Sequence, residues 1–215
     1  EAFSGILPPL TTHEALEVTQ IYSAAGMLGA EPYVSSRPFR SPHHTASPVS
    51  IIGGGANPRP GEISLAHRGV LFLDEIPEFR RDLLEALRQP LESGKAHIAR
   101  ANGNAVFPAR FTLAAAMNPC PCGYHGDEEK ACVCAAHEVL RYQKKVSGPL
   151  LDRIDIQIRV PRVKPEELRA KFASGETSAE VRAKVIAARE VQAERFARLA
   201  AKVKHRPRTN AEMTS

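Results

Sequence analysis

Residues 69–76 read Gly69-Val70-Leu71-Phe72-Leu73-Asp74-Glu75-Ile76, an apolar run that ends in two adjacent carboxylates. Such a run is typical of a strand that is buried on both faces at the centre of a parallel sheet. Two acids at the carboxyl end of a buried strand can hold Mg²⁺ and activate a water molecule for nucleotide hydrolysis. The same octapeptide also fits an apolar strand that ends in a solvated acidic turn, so the neighbouring segments must decide between the two.

Those neighbouring segments follow one another in the order of a known family. With His67 and Arg68 in front of it, the run resembles the Walker B segment of the magnesium-chelatase-like AAA+ ATPases, and most closely their competence-associated (ComM-type) helicase group. The upstream strings that carry the resemblance are Arg37-Pro38-Phe39-Arg40-Ser41-Pro42-His43-His44-Thr45, Gly53-Gly54-Gly55 and Pro60-Gly61-Glu62-Ile63-Ser64-Leu65-Ala66-His67. The downstream strings are Ala116-Met117-Asn118-Pro119-Cys120-Pro121-Cys122-Gly123 and Gly148-Pro149-Leu150-Leu151-Asp152-Arg153-Ile154-Asp155.

The resemblance implies an α/β fold: a partial AAA+ core with a parallel sheet, β-hairpin inserts and the start of a helical lid. It assigns residues 1–161 to the large subdomain and 162–215 to a truncated lid. Within the large subdomain it implies an insert at about 31–68, a hairpin facing a ring's pore at 95–107, and a cysteine cluster at 120–134.

The resemblance also assigns the catalytic roles. Asp74 would hold the Mg²⁺ of Mg-ATP, and Glu75 would polarise the attacking water. Asn118 matches the sensor 1 residue, although Asn-Pro is also a common turn starter. Arg153 matches the arginine finger that reaches a neighbouring subunit's γ-phosphate; the alternative is an intrachain ion pair with Asp152 or Asp155.

The sequence contains no Gly-x-x-x-x-Gly-Lys-Ser/Thr phosphate loop. Gly53-Gly54-Gly55 is no substitute, because it lacks the lysine and a following helix. In the family that loop comes before the matching region, and the sensor 2 arginine comes after it. We therefore expect the chain to be part of a longer protein, and by itself to bind ATP weakly or not at all.

Four cysteines form two Cys-x-Cys pairs, Cys120 with Cys122 and Cys132 with Cys134. Four thiolates can close a tetrahedral Zn²⁺ site, and clustered thiols in an intracellular protein more often bind metal than pair. We expect a structural zinc ion, with His125 or His137 able to replace one thiol. The alternatives are four reduced cysteines or disulfides formed during handling.

Cationic side chains on the predicted pore hairpin, Lys95, His97 and Arg100, are candidates for gripping a DNA backbone. A solvated charged hairpin is the alternative for each of them. The insert offers a second cationic group, made up of Arg37, Arg40, His43 and His44. We discount a metal site at the two histidines, because adjacent residues of a strand point to opposite faces.

Local signals predict several elements. Thr11 and Glu14 form a capping box for a helix that ends at Gly26, and Thr177 with Glu180 caps another. The other predictions are a leucine-rich helix interrupted at Pro90 and stopped by Gly94, a hairpin turning at Asn102-Gly103, a buried strand at 111–117, a half-buried strand at 154–160, and a helix start at Pro165.

The 29 Lys and Arg residues exceed the 24 Asp and Glu residues, and the formal net charge of +5 permits an anionic partner without requiring one. No apolar stretch is long enough to span a membrane, and we expect a cytoplasmic protein. The resemblance implies a homo-oligomeric ring, a hexamer, that hydrolyses ATP to move single-stranded or branched DNA during transformation and recombination. Alternatives are the motor subunit of a chelatase complex, which inserts metal into a porphyrin, and an inactive zinc-stabilised module that binds nucleic acid.

Overall fold

The computed structural model describes residues 2–30, 32–55, 57–100, 103–161, 175–199 and 209. The chain divides into two compact units. The larger comprises Leu10–Arg162, and the smaller combines Glu1–Pro9 with Val163–Ser215. The helix start predicted at Pro165 lies outside the described residues.

The described strands are β1 (Phe39–Arg40), β2 (Gly53–Gly54), β3 (Arg59–Pro60), β4 (Val70–Leu73), β5 (Lys95–Arg100), β6 (Gly103–Pro108) and β7 (Thr112–Ala115). The described helices of the larger unit are α2 (Thr12–Ala25), α3 (Pro48–Ile52), α4 (Glu62–Leu65), α5 (Arg81–Ala86), α6 (Arg88–Ser93), α7 (Ala136–Gln143) and α8 (Gly148–Leu151). The smaller unit contains α1 (Ala2–Gly5) and α9 (Ser178–Leu199).

Strand β4 is the centre of a three-stranded parallel sheet in the order β1-β4-β7. Val70, Leu71 and Leu73 are fully buried, as the continuous apolar run predicts. The strand at 111–117 is also confirmed, although it is shorter and only half-buried, because β7 has a single partner in the described sheet. The predicted α/β fold with a parallel sheet is therefore confirmed.

Gly69 lets β1 approach β4. A Cβ atom added there would lie 2.0 Å from the carbonyl oxygen of Pro38. That carbonyl accepts the Val70 N–H at 2.9 Å, which starts the β1–β4 ladder. Any side chain at Gly69 would therefore push the first strand away from the central one.

Helix signals in the sequence are confirmed in detail. Both halves of the Thr11–Glu14 capping box form, and Gly26 ends α2 in the left-handed conformation. The leucine-rich helix breaks at Leu87 into α5 and α6, one turn before Pro90, because proline cannot donate to the preceding turn. Gly94, at a φ of 67°, ends α6.

Hairpin β5–β6 is also confirmed, with Arg100 paired to Gly103. This register puts Gly103 in the strand, so only residues 101 and 102, which are not described, separate the two arms. Residues 39–40, within the range assigned to the insert, belong to the central sheet as β1. The same range contains the short antiparallel pair of β2 and β3.

The strand predicted at 154–160 is wrong. Residues 156–161 have no assigned secondary structure, and Ile156, Ile158 and Val160 are between 75% and 80% exposed. Alternating apolar residues favour an extended segment with one face against a core. No strand of the described residues pairs with this one, so that face is not buried.

At the amino end of the sheet, a buried histidine joins α2 to the segments that lead into β4 and β7. His67 accepts the Arg110 backbone N–H on Nδ1 at 3.0 Å, so its Nε2 bears the proton that faces Glu17 at 3.3 Å. Burial, together with the positive charge of Arg68, lowers the pKa of His67 to about 4, although Glu17 opposes the shift. The imidazole is therefore neutral in the folded unit.

This arrangement predicts destabilisation in mild acid. Because the folded pKa is below the unfolded value of 6.5, the unfolded chain binds more protons between pH 6.5 and 4. We expect the free energy of unfolding to fall by about 2 kcal/mol between pH 7.5 and 5 through His67 alone. Urea titrations of wild type and His67→Gln at both pH values measure this, since glutamine can keep both hydrogen bonds without titrating. Equal losses in the two proteins would contradict the prediction.

Candidate functional site

The carboxyl edge of the parallel sheet brings together side chains from two neighbouring strands. Asp74 and Glu75 directly follow β4, and Asn118 follows β7 by three residues. The two loops are tied where the Ile76 N–H donates to the Ala116 carbonyl at 3.0 Å. All three candidate side chains are exposed at this edge. Their catalytic roles remain predictions.

Glu75 adopts a backbone conformation that is unusual for its residue type. Its φ is 50° and its ψ is 48°, in the left-handed region. For a residue with a Cβ atom, this conformation lowers the stability of the fold by about 1–2 kcal/mol. Buried Ile76 and Pro77 hold the turn that follows, and the Glu75 N–H donates to Asp74 Oδ1 at 3.0 Å. Such strain is concentrated at functional sites, where the surrounding structure maintains it.

Two histidines follow the end of β1 at the same edge. The rings of His43 and His44 lie 4.1 Å apart, and the His44 ring meets Phe79 edge-on at 6.3 Å. The expectation that these side chains point to opposite faces is wrong, because the pair belongs to a turn and not to a strand. They form no metal-binding group with other His, Cys, Asp or Glu residues in the described part of the chain.

The four cysteines converge after β7. The sulfur of Cys120 lies 3.4 Å from that of Cys122 and 3.7 Å from that of Cys132, and the Cys122 and Cys132 sulfurs are 3.6 Å apart. All four sulfurs, with that of Cys134, lie within 4.8 Å of one another. Four thiolates at 2.3 Å from a tetrahedral zinc ion would be ~3.8 Å apart. The group therefore fits a metal ion, and the thiols are free, not disulfide-bonded.

Backbone amides also prepare this cluster for a cation. The N–H groups of Tyr124 and Val133 lower the pKa of Cys122 to about 6 by stabilising its thiolate. Although the Cys122 N–H opposes it, desolvation and the neighbouring thiols raise the pKa of Cys134 to about 12. A metal ion would favour deprotonation of Cys134 despite this raised pKa, because the ion stabilises each thiolate that it binds. Neither His125 nor His137 belongs to the group.

Arg153 lies two residues after α8 and forms an ion pair with Glu92 on α6. The sequence suggested an intrachain pair with Asp152 or Asp155 as the alternative, and the partner is instead Glu92. Both side chains are nearly half exposed, so the guanidinium can leave this pair at little cost.

The cations proposed for DNA binding differ in their surroundings. Lys95 and His97 are exposed on one face of β5, whereas Ala96 and Ile98 between and beyond them are buried. Arg100 is in the same strand, but its side chain lies outside the description.

Arg37 and Arg40, suggested as further DNA contacts, have partners within the protein. Arg37 donates to Glu14 at 3.1 Å and to the Arg68 carbonyl at 2.6 Å. Arg40 forms a two-pronged pair with Glu62, with contacts of 2.5 and 2.7 Å. These two arginines hold the fold together, and we withdraw them as DNA contacts.

The sequence analysis missed Tyr142 and Gln143 on α7. The Tyr142 side chain is buried, and its neighbour Gln143 donates through Nε2 to the Pro119 carbonyl of the Asn118 loop at 3.1 Å. The available signal was a polar side chain at the end of a short helix, which does not identify the loop that it meets.

Comparison with known proteins now assigns the family. Residues 1–168 match the family described as magnesium chelatase, subunit ChlI. The chain belongs to this family. It is 48% identical over 204 residues to YifB of Salmonella typhimurium, covering 94% of this chain and 40% of that protein. It is also 48% identical over 197 residues to the competence protein ComM of Haemophilus influenzae, covering 91% of this chain and 38% of ComM.

The chain thus spans about two fifths of the length of these relatives. A solved structure of NtrX from Brucella abortus, in complex with ADP, aligns with a TM-score of 0.40 and 16% identity, over 76% of this chain and 31% of NtrX. Among the described residues, no helix is both long and apolar enough to cross a membrane.

Proposed function

We propose that this chain supplies the hydrolytic half of an ATPase site in a ring-forming motor that moves DNA. The observation that carries the proposal is that Asp74, Glu75 and Asn118 follow two paired parallel strands at the same carboxyl edge, where the two loops are hydrogen-bonded to each other. Ligands of open α/β sheets bind at that edge. Asp74 would hold Mg²⁺, Glu75 would orient the attacking water, and Asn118 would bind that water or the γ-phosphate without adding charge.

A phosphate-binding loop must come from sequence outside this chain. The outer edge of β7 pairs with no strand in the described residues, so the sheet has room for another one. The apolar side chains of Ile156, Ile158 and Val160 alternate along the chain and are exposed, as expected of an extended segment whose apolar face packs against sequence outside the described residues. Both features support a further strand carrying that loop. The longer protein that contains it is called the extended protein below.

DNA is the substrate that the charge distribution favours. Lys95 and His97 are exposed together on one face of hairpin β5–β6. Protein cations that contact the phosphates of the DNA backbone bind without sequence specificity, and their affinity falls steeply as the salt concentration rises. A ring of such hairpins would present several cations to a strand passing through it.

An ATPase assay on the extended protein, with and without DNA, tests the proposal. We expect hydrolysis that requires Mg²⁺ and rises when single-stranded or branched DNA is added. In Lys95→Ala the DNA stimulation should weaken while hydrolysis without DNA persists. Hydrolysis that is indifferent to every DNA form would contradict the DNA motor, and absence of hydrolysis would contradict the ATPase.

A second candidate is the motor of a metal-insertion complex, and the family assignment of residues 1–168 favours it. The same ATPase residues would serve it, so only the substrate differs. Stimulation of hydrolysis by a porphyrin and its partner subunits, and not by DNA, would favour this candidate.

We further propose that the four cysteines hold a structural zinc ion. Four protein ligands leave no open position for catalysis, and the metal would stabilise a loop with few apolar side chains. Elemental analysis should find about one zinc per chain, as one tetrahedral four-thiolate site holds. Cys134→Ser should lower that content, whereas His125→Ala, which alters a neighbour outside the cluster, should not. A stable protein purified without metal would contradict the assignment.

A further inference from the structure

The loop that carries Asn118 is anchored on both sides. On the sheet side, the Ala116 N–H donates to the Leu73 carbonyl and the Ala116 carbonyl accepts the Ile76 N–H, both at 3.0 Å. On the other side, Cys120 is fully buried and belongs to the cysteine cluster. Asn118 is therefore the central residue of the segment 117–119, which joins the sheet to the cluster.

The strength of the second anchor depends on a bound metal ion. The Cys120 sulfur lies 3.7 Å from that of Cys132, which comes 12 residues later in the chain. Thiols are weak hydrogen-bond donors and acceptors, so without an ion the cluster contributes little to holding these two cysteines together. Bonds from four thiolates to one ion would close the loop and fix Cys120.

Pro119 makes a stiff connection between Asn118 and the cluster. Its ring fixes its own φ and restricts the backbone of Asn118 before it. Its carbonyl accepts Gln143 Nε2 at 3.1 Å, from the last residue of α7. That helix begins at Ala136, two residues after Cys134, so the helix that supports Pro119 is itself attached to the cluster. A displacement of the cluster is therefore transmitted to Asn118 along two routes.

From these contacts we propose that the cysteine cluster, with its metal ion bound, positions Asn118 for ATP hydrolysis, and that Cys120 is the positioning residue that connects the two. This inference rests on the ATPase function and on the zinc site proposed above. In the filled site, segment 117–119 is fixed at both ends, and the Asn118 amide keeps one position at the carboxyl edge. Loss of the ion frees one end, and a misplacement of about 1 Å is enough to slow a reaction by about 100-fold.

The zinc affinity of the extended protein carrying Glu75→Gln, with and without ATP, tests the inference. This variant retains ATP without turnover, so Asn118 stays in contact with the bound nucleotide. Coupling between two binding sites is reciprocal, so ATP should lower the dissociation constant for zinc, by about fivefold or more. Competition with a zinc-selective chelator in excess Mg²⁺ measures this constant. An ion that only stabilises its own loop would bind equally well in both conditions.

Two asparagine variants in the Glu75→Gln background show whether the coupling passes through the candidate site. Asn118→Ala should abolish the effect of ATP on zinc affinity, because it removes the amide that would contact the nucleotide. Asn104→Ala makes the same change at an exposed position of β6 and should retain the effect. Loss of the effect in both variants, or in neither, would overturn the inference.

Turnover provides a second measurement. In the extended protein with Glu75 intact, zinc depletion should lower kcat by about 10- to 100-fold, change the KM for ATP less than about twofold, and be reversed when zinc is restored. If the depleted protein does not stay folded, the affinity measurement on the filled protein decides alone. A wild type without hydrolysis or without zinc would contradict the proposed function or the proposed metal site, and this inference with it. An active, zinc-bound protein whose zinc affinity is the same with and without ATP would overturn only this inference.

Discussion

Glu75→Gln in the extended protein is expected to stop ATP hydrolysis while leaving ATP binding intact. Glutamine keeps the shape of the side chain but removes the carboxylate that would draw a proton from the attacking water. A positioned general base contributes about 10²–10⁴ in rate, so kcat should fall by at least about a hundredfold. Turnover by coupled assay and binding by a fluorescent ATP analogue measure the two effects separately.

Two further variants sharpen this test. Glu190→Gln makes the same chemical change at an exposed position of α9 and should leave turnover unaltered. Glu75→Asn should be as inactive as Glu75→Gln but more stable by about 1 kcal/mol, because asparagine tolerates the left-handed backbone better. Unchanged hydrolysis in Glu75→Gln would contradict the role assigned to this carboxylate. Equal stability of Glu75→Gln and Glu75→Asn would contradict the inferred backbone strain at this position.

The features that could be predicted from the sequence are those with a local physical cause. The apolar run at 70–73 needed burial on both faces, and the structure makes it the central strand. Thr11 and Glu14 satisfy each other's backbone amides within one turn, so their capping box did not depend on the rest of the fold. Gly94 likewise ended its helix through its own backbone freedom.

The features that could not be predicted depend on residues far apart in the chain. The alternation at 154–160 specified which side chains share a face, but it could not supply the strand against which that face would pack. Arg153 pairs with Glu92, which is distant in sequence, and not with the acids beside it. The hydrogen bond from Gln143 to the Pro119 carbonyl depends on how α7 packs against the loop after β7, which helical periodicity does not determine.

Arg153→Ala is the second substitution for which we expect a large loss. If the guanidinium reaches a neighbouring subunit's nucleotide, it offsets charge that develops on the γ-phosphate, an effect of about 10³–10⁵ in rate. ATP affinity should stay nearly unchanged, because the interaction strengthens in the transition state. Mixing this variant with the inactive Glu75→Gln protein should restore part of the activity, since a Glu75→Gln subunit still supplies its Arg153 to the intact site of a neighbouring Arg153→Ala subunit.

Glu92→Gln is the control that the structure provides, because it breaks the intrachain pair and leaves Arg153 in place. An exposed ion pair of this kind contributes only about 0–1 kcal/mol, so losing it cannot account for a thousandfold change in rate. We therefore expect Glu92→Gln to keep its activity within a few-fold, while Arg153→Ala does not. Equal losses in the two variants would mean that Arg153 acts by holding α6 to the segment after α8. In that case a mixture of Arg153→Ala with Glu75→Gln would restore no activity, and the contact between subunits would be contradicted.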